Sequence, residues 1–377
     1  MRMASAIRFS LAAGVASFAL ASVGAPLAHA SARRSSPNWA KAASASAGGG
    51  MAALVKAAKA EGRLTVTALP PTWANYGAIM KAFEHKYGIQ ITDTIPDGSS
   101  QDELNEITHL KSRGPDVVDV GLPFAVDGVQ QHLLAPYKVR EWSELSSQEK
   151  AANGAWYFDY GGYISIGYDA SRFKSAPTSL ADLLKPEFKG AVGLDGNPTQ
   201  AGAAFSAVYA AALANGGSFS NIKPGIAYFR RLAKAGNFVT AQADATTIGS
   251  GQIGVSIDWD YLNAAYAAGL RGKIDWKVVI PSDAHYASYY AQAISRFAPH
   301  PAAARLWEEF LYSNEGQNLF LAGLARPVLL PNLIASRSVN KVALRALPPV
   351  TGAAKFPTLA EQGAAKAIVV QQWPTVG

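Results

Sequence analysis

The feature that most constrains the fold is a repeated order of strand, loop and amphipathic helix. Residues 66–107 read "VTALPPTWANYGAIMKAFEHKYGIQITDTIPDGSSQDELNEI". Leu64–Leu69 predicts a strand, and the apolar spacing from Tyr76 to Tyr87 predicts a helix with one buried face. Ile89–Thr94 predicts the next strand. Because parallel strands need a helical crossover between them, this order predicts an α/β fold whose sheets are mostly parallel and flanked by helices.

The same order returns further along the chain, which predicts two lobes. Ser100 and Glu103 form a capping-box pair that opens a helix, and "DVVDVG" at 116–121 predicts a buried strand. Strand, loop and helix recur at 190–205 and 253–266, with the first of these helices opening near Thr199. A chain of 377 residues exceeds the roughly 250–300 residues at which a single core stops growing.

The N-terminal residues have the pattern of a secretory signal. Arg2 and Arg8 precede an apolar run that ends in "AHA", which predicts a signal peptide over 1–30 with cleavage after Ala30. Residues 31–50 are rich in Ser, Ala and Gly and are expected to form a disordered leader. The chain has no cysteine, so no lipid anchor is expected. These features predict a soluble periplasmic protein that is not a lipoprotein.

Two extended segments are expected to cross between the lobes and act as a hinge. They are Gly161–Tyr168, within "YGGYISIGYD", and Tyr286–Gln292. The crossings give one lobe of residues 51–162 together with 287–377, and a second lobe of residues 163–286.

Charge and motifs argue against several classes of function. The formal charge of +7 is scattered without a basic block, so no nucleic-acid partner is predicted. Gly249–Gly254 fits G-x-G-x-x-G, but a helical stretch precedes it and a strand follows, the reverse of the dinucleotide-binding order. The motif therefore predicts no cofactor site. No metal site is predicted either. Asp116 and Asp119 flank a buried strand, where they are expected to cap the strand ends, and the absence of a catalytic motif favours a protein that is not an enzyme.

Side chains suited to binding lie in loops after the strands, at the sheet edge where open α/β folds hold ligands. Aromatic rings beside carboxylates suit a cationic or amine-bearing ligand, and helix starts suit an anion. The aromatic and acidic candidates, with one amide, are Trp73, Asn75, Tyr76, Asp258, Trp259, Asp260, Tyr261, Tyr286, Tyr289 and Tyr290. The helix-start candidates are Ser99, Ser100, Gln101, Asn197, Thr199 and Gln200.

Roles for these candidates follow from their chemistry. Asp258 or Asp260 is expected to pair with a positive group, and Trp73, Tyr76 and Trp259 are expected to enclose it. Two alternatives stay open: the apolar stripe of its helix also allows Tyr76 to be a core residue, and helix capping alone explains the serines.

Four segments carry a resemblance to a known family, and they span nearly all of the chain after the signal. They are "EGRLTVTALPPTWANYGAIMKAFEHKYGIQI" (61–91), "SRGPDVVDVG" (112–121), "GGYISIGYD" (161–169) and "HPAAARLWEEFLYSNEGQNLF" (300–320). With the secretion signal, they resemble periplasmic solute-binding proteins of ABC importers, in the type II fold group of polyamine, ferric-ion, thiamine and aminophosphonate binders. The resemblance implies a monomer of two hinged lobes that closes over one small solute and delivers it to an ABC permease in the inner membrane.

The resemblance also bears on the solute. The spacing of Trp73 and Tyr76 is similar to that of polyamine binders, in which those aromatic residues enclose the ligand. Ferric-ion binders carry two consecutive tyrosines where this chain has Asp260 and Tyr261, which argues against iron. The sequence thus favours a small polar organic solute such as a polyamine, thiamine or an aminophosphonate. A ferric-ion carrier and a secreted enzyme on the same fold are the alternatives.

Overall fold

The computed structural model describes residues 37–350 and 356–376 of the chain. The predicted signal peptide and its cleavage after Ala30 lie outside these residues. The strands are β1 (Arg63–Thr67), β2 (Gln90–Thr94), β3 (Val117–Gly121), β4 (Leu134–Ala135), β5 (Tyr157–Asp169), β6 (Val192–Leu194), β7 (Phe238–Gln242), β8 (Val255–Trp259), β9 (Trp276–Val279), β10 (Ala287–Ser295) and β11 (Arg326–Pro327).

The helices follow the strands in the order that the sequence predicts. They are α1 (Met51–Glu61), α2 (Tyr76–Tyr87), α3 (Ser100–Leu110), α4 (Leu122–Gln130), α5 (Gly202–Ala214), α6 (Lys223–Lys234), α7 (Ala245–Gly249), α8 (Asp260–Gly269), α9 (Pro301–Leu311), α10 (Asn314–Ala322), α11 (Leu330–Ala335), α12 (Lys341–Ala346) and α13 (Leu359–Gln372). None of these described helices combines the length and the apolar character needed to cross a bilayer.

The long strand β5 joins two groups of strands. Its first half pairs with β10, which in turn pairs with β3, and its second half pairs with β8 and β9. The change of partner along β5 falls between Tyr163 and Ile164. We call β1–β4, β10 and β11 with the helices packed on them the first lobe, and β6–β9 with their helices the second lobe.

The α/β fold is confirmed, but the sheet is mixed rather than mostly parallel. Parallel pairing links β1 to β2, and β6 to both β7 and β8. Strand β5 runs through both lobes, β10 lies in the first lobe, and both run antiparallel to their neighbours. Their close approach requires a glycine, since a Cβ at Gly161 would lie 2.2 Å from the carbonyl oxygen of Ser288.

Hydrophobic periodicity explains how these elements pack. Helix α2 buries Tyr76, Ile79 and Phe83, which are three and four residues apart and therefore share one face. All five residues of β3 are buried. Helix α5 is buried on nearly all sides, which agrees with its unbroken apolar sequence "GAAFSAVYAAALA". It begins at Gly202, after the predicted start near Thr199.

The predicted disordered leader is wrong for its described part. Residues 37–50 contain a short 3₁₀ helix, and Trp39 within it is buried. The buried Arg305 of α9 donates hydrogen bonds to the carbonyl oxygens of Ala40 and Ala42, at 3.2 and 2.9 Å. The composition of this segment does not reveal its order, because its anchoring contacts are distant in sequence: Arg305 lies more than 250 positions away, and the N–H of Lys138 donates to the carbonyl oxygen of Ala43 at 2.9 Å.

The predicted capping box of α3 is wrong by one residue. The pair is Ser99 and Asp102: the Ser99 side chain accepts from the Asp102 N–H, and the Asp102 carboxylate accepts from the Ser99 N–H at 3.0 Å. The side chains of Ser100 and Glu103 instead accept hydrogen bonds from the backbone of β3, from the N–H of Gly121 at 3.1 Å and of Asp119 at 2.8 Å. This contact joins the start of α3 to the end of β3.

Candidate functional site

A cavity of about 310 Å³ lies between loops of the two lobes. The first lobe contributes the loop after β1, the loop after β2 and the start of α3. The second lobe contributes the loops after β6 and β7 and one face of α8. Tyr290, on strand β10 of the first lobe, completes the lining. The loops after β1, β2 and β6 follow the carboxyl ends of parallel strands, the edge at which α/β folds bind ligands.

The two walls touch at one rim. The N–H of Gln101, in the first turn of α3, donates to the carbonyl oxygen of Gln200 in the second lobe at 3.1 Å. Behind this contact the backbones of Gly121 and Gly202 are so close that a Cβ on Gly121 would lie 3.0 Å from the Cα of Gly202. The cleft is therefore closed in this structure.

Acidic side chains dominate the polar lining of the cavity. Six of them line it: Asp97, Asp102, Glu103, Asp119, Asp195 and Asp244. Among the described lining residues there is no Lys, Arg or His. Since like charges gathered in a partly dry cleft repel one another, this lining is complementary to a cation.

Asp119 is the most deeply placed of these carboxylates. It is 4% exposed, and its Oδ2 accepts hydrogen bonds from the hydroxyls of Tyr160 at 2.6 Å and Tyr76 at 2.9 Å. Its Oδ1 is buried and has no hydrogen-bond partner among the residues that the structure describes. Burial raises the pKa of Asp119 to about 7, against the lowering effect of the two phenol hydrogen bonds. Asp119 thus lines the cavity and has one carboxylate oxygen without a partner among the described residues.

Aromatic rings form a wall next to Asp119. The indole Nε1 of Trp73 donates to the Tyr160 hydroxyl at 2.5 Å, which in turn donates to Asp119. The Trp73 ring meets Tyr290 edge to face, with 5.4 Å between centroids, and Tyr290 stacks on Tyr160 at 5.8 Å. These contacts fix the orientation of the half-buried Trp73 at the cavity.

The second lobe places two further carboxylates on the opposite wall. Asp195, after β6, is 8% exposed and accepts a hydrogen bond from Gln242 Nε2 at 2.8 Å. Burial raises its pKa to about 6, and the negative charges of Asp244 and Asp97 add to the shift. Asp244 caps α7 by accepting from the N–H groups of Thr246 and Thr247. Because Asp97 belongs to the first lobe, the two walls oppose like charges across the cleft.

The cavity brings together six of the candidates that the sequence indicates. They are Trp73, Ser99, Ser100, Asn197, Gln200 and Tyr290. Ten others do not line it: Asn75, Tyr76, Gln101, Thr199, Asp258, Trp259, Asp260, Tyr261, Tyr286 and Tyr289.

Most of the ten have other contacts that explain their position. Tyr76 packs against Trp307 and Phe320 in the core, as the alternative interpretation of its helix anticipated. Trp259 is 2% exposed and stacks between Tyr261 and Tyr286. Core packing accounts for each of these rings.

Asp260, one of the two acids expected to pair with the ligand, is paired within the protein, whereas the role of Asp258 stays a prediction, because its Oδ2 has no hydrogen-bond partner among the described residues. Asp260 is fully buried and forms an ion pair with Arg326 of β11, at 2.5 Å between Oδ2 and Nη1. Asp258 is also fully buried, and its Oδ1 accepts the N–H of Trp259. An internal cation thus occupies Asp260, which corrects the predicted role.

The expected anion site at the start of α3 is also weakened. The Ser99 hydroxyl donates to the Asp102 carboxylate at 2.6 Å, and the Asp97 carboxylate lines the cavity beside it. These negative charges oppose the favourable effect of the helix N-terminus on an anion.

Sequence reasoning missed the acidic lining. Asp116, which precedes β3, does not cap that strand: its carboxylate accepts from the N–H groups of Thr65 in β1 at 2.7 Å and of His300 at 2.6 Å, and so joins neighbouring elements. Asp119 does not cap a strand end; it lies within β3 and reaches the cavity. The sequence did contain a signal for Asp119. An acidic residue inside an otherwise apolar strand costs free energy when it is buried, and a binding role can explain why it is there. No group of three or more His, Asp or Glu side chains that could hold a metal ion occurs in the described part of the chain.

Solved structures of similar fold define the class of protein. AfuA, a periplasmic binding protein from Actinobacillus pleuropneumoniae solved with fructose-6-phosphate, aligns with a TM-score of 0.65 at 19% identity, covering 84% of this chain and 98% of its own. Iron-bound HitA from Pseudomonas aeruginosa aligns at 0.59 and 20% identity, over 84% and 99%. A candidate spermidine/putrescine ABC transporter from Listeria monocytogenes aligns at 0.59 and 13% identity, over 83% and 99%. The fold is that of the two-lobed periplasmic binding proteins.

The family is established by sequence. The model of the bacterial extracellular solute-binding proteins matches residues 113–349, more than half of the chain. The protein therefore belongs to this family, and binding a solute is its function at that level. No curated protein sequence matches the chain.

Proposed function

We propose that this protein is the periplasmic solute-binding component of an ABC transporter and that its solute is an organic cation. Polyamines and thiamine are the leading examples. The observation that carries this proposal is the lining of the cavity, in which six carboxylates meet no Lys, Arg or His among the described residues.

The aromatic wall supports an organic cation over a bare ion. Trp73 and Tyr290 border the cavity beside Asp119, and an ammonium group over an aromatic face gains about 0.5–2 kcal/mol, depending on its desolvation. A volume of about 310 Å³ lies at the lower end of the roughly 300–1,000 Å³ of small-molecule pockets, so it suits a small organic molecule.

The same lining argues against two other solutes. A sugar phosphate, such as AfuA binds, or an aminophosphonate needs cationic or N–H partners, and the start of α3 is surrounded by acids. A tyrosinate-bound ferric ion, the alternative from sequence, needs ionised phenols. Burial raises the pKa values of Tyr76, Tyr160 and Tyr261 well above 10, which favours their neutral forms.

Binding between carboxylates of both lobes would couple the solute to closure of the cleft. Asp119 lies on the first lobe and Asp195 on the second, so a cation between them favours the closed arrangement. The closed form is then the state presented to a permease in the inner membrane, with β5 and β10 as the hinge strands.

A thermal-shift panel tests the proposal, because a ligand that binds only the folded state raises the unfolding midpoint. The panel contains putrescine, spermidine, thiamine, 2-aminoethylphosphonate, fructose 6-phosphate and ferric citrate. We expect at least one of the organic cations to raise the midpoint and the sugar phosphate to leave it unchanged. A shift with fructose 6-phosphate or ferric citrate alone would refute the proposal.

A further inference from the structure

Four carboxyl groups extend from the cavity into the first lobe. They are Glu103, Asp119, Asp159 and Glu308, and each is 4% exposed or less. None of the four forms an ion pair with another described residue. Buried carboxylates without a counter-charge are costly, so such a group keeps its proton until a cation replaces it.

Hydrogen bonds connect two of these groups through one hydroxyl. The Tyr76 hydroxyl lies 2.9 Å from Asp119 Oδ2 and 3.3 Å from Asp159 Oδ2, and it accepts a hydrogen bond from Gln292 Nε2 at 2.6 Å. Its single proton can be donated to one carboxylate at a time. Ionisation of both acids would leave one of them without this donor.

The groups around Asp119 are neutral donors or further acids. Tyr76 approaches from α2, Glu103 from α3, Asp159 and Tyr160 from β5, Tyr261 from α8, Tyr290 and Gln292 from β10, and Glu308 from α9. No Lys or Arg forms an ion pair with Asp119 among the described residues. Burial raises the pKa of Glu308 to about 8 and those of Asp159 and Glu103 well above the usual range.

We infer that Asp119 is the residue that selects a positive charge, and that a cationic group binds it in exchange for a proton released to the solvent. This inference rests on the proposed function and adds to it. The ammonium group hydrogen-bonds the free Oδ1, while Tyr76 and Tyr160 hold Oδ2. An uncharged analogue of the same shape cannot supply the charge that replaces the proton, and it is therefore rejected.

The exchange predicts how affinity depends on pH. With a pKa of about 7, most free protein carries the proton on Asp119 at pH 6 and little does at pH 8. Aliphatic amines, like the lysine side chain, stay protonated over this range. Binding of spermidine is therefore expected to be about tenfold tighter at pH 8 than at pH 6, with release of about one proton per molecule at pH 6.

Isothermal titration of the protein with spermidine measures both quantities. Titrations at pH 6 in two buffers of different ionisation enthalpy give the number of protons released, and a second pair at pH 8 gives the change in affinity. This measurement uses the wild-type chain and does not depend on the folding of any variant. Propane-1,3-diol serves as an uncharged probe and is expected not to bind.

Asp119→Asn separates this residue from the other acids of the cavity. We expect the variant to bind spermidine about 100-fold more weakly at pH 8 and to lose most of the difference between pH 6 and pH 8. Asp275→Asn is the matched control, because Asp275 is exposed and pairs with Lys277 outside the cavity. Circular dichroism checks that each variant is folded.

The outcomes distinguish the inference from the proposed function. Spermidine binding that is independent of pH, releases no proton, or keeps its full pH dependence in Asp119→Asn overturns the inference and leaves the proposed function standing. If neither spermidine nor any other organic cation of the panel binds at either pH, both are overturned.

Discussion

The wall around Asp119 and the crossing strands around Asp260 bury a carboxylate in opposite ways. Asp260 meets the guanidinium of Arg326 at 2.5 Å, and its Oδ1 accepts the N–H groups of Tyr163 and Tyr261, both at 3.1 Å. Asp119 has phenol donors on one oxygen and no partner among the described residues on the other. The protein thus provides a cationic side chain for Asp260, and it provides none for Asp119 among the described residues.

This difference separates a structural carboxylate from one that is available to a ligand. Arg326 also donates to the carbonyl oxygen of Pro348 at 3.0 Å, so the pair with Asp260 links the second lobe to the segment after β11. Asp119 has no counter-charge among the described residues, and it lines the cavity. We therefore interpret Asp260 as a structural residue, which links the second lobe to the segment after β11. We interpret Asp119 as the residue that recognises the solute.

The largest expected effect is on stability at the paired site. Asp260→Asn leaves the buried guanidinium of Arg326 without its counter-charge, which typically costs about 3–5 kcal/mol. We expect a corresponding fall in the free energy of unfolding, measured by urea denaturation. The control Asp275→Asn is expected to change it by less than about 1 kcal/mol, since exposed pairs contribute little. An equal effect of the two substitutions would remove the contrast between the regions.

The unpaired acids predict a second effect, a loss of stability as pH rises. The pKa is raised to about 7 in Asp119, about 6 in Asp93 and Asp195, and about 8 in Glu308. The folded state then binds more protons than the unfolded state between about pH 4 and these values, so stability falls across that window.

Urea denaturation without ligand should show this loss between pH 5 and pH 8, with Asp119 alone contributing a decrease of about 2–3 kcal/mol. Asp119→Asn should reduce the slope of the profile by that contribution, because the asparagine cannot ionise whereas Asp93, Asp195 and Glu308 still do. A free energy of unfolding that rises over this range, or an unaltered slope in the variant, would contradict the assignment of Asp119 as an unpaired buried acid.

A smaller effect concerns the aromatic wall. Trp73→Ala removes the ring beside Asp119 and the donor to the Tyr160 hydroxyl, and we expect it to weaken spermidine binding about 5- to 30-fold, or about 1–2 kcal/mol. Trp73→Phe keeps an aromatic face and is expected to retain most of the affinity. Calorimetry on both variants gives the comparison, and an alanine variant with unchanged affinity would show that the ring does not contact the ligand.

The smallest expected effect is on the position of the pH dependence. Tyr160→Phe deletes a hydrogen bond that lowers the pKa of Asp119, so that pKa rises. The midpoint of the affinity profile should move to higher pH, by less than about one unit. A midpoint that stays or moves to lower pH would mean that another group controls binding.

The sequence predicts the order of elements well because strands and helices have different hydrophobic periods. It also indicates that Trp73 lines the cavity, since a large aromatic residue in a loop is off pattern for a core. Prediction from the sequence fails where two interacting residues are far apart in the chain. The cation for Asp260 is Arg326, 66 positions later, and no local pattern reveals that pair. From the sequence alone, Asp119 is interpreted as a strand cap. Only the fold shows that it lies beside the acidic residues of the loops after β2 and β6.

The domain limits of the two lobes and the cleavage after Ala30 remain predictions. The C-terminal helix α13 contacts both lobes: Lys366 pairs with Asp127 of α4, and the carbonyl oxygen of Glu361 accepts from Tyr209 of α5 at 3.0 Å. The sequence pattern cannot assign α13 to one lobe, because the residues that it contacts lie on both lobes.

A crystal structure of the protein grown with spermidine or thiamine tests the central claim most directly. The account predicts the ligand between the lobes, with a positively charged nitrogen within about 3.2 Å of Asp119 Oδ1 and the Trp73 ring in contact with the same molecule. An organic cation bound elsewhere, or a phosphate group held against Asp119 and Asp195, would contradict it.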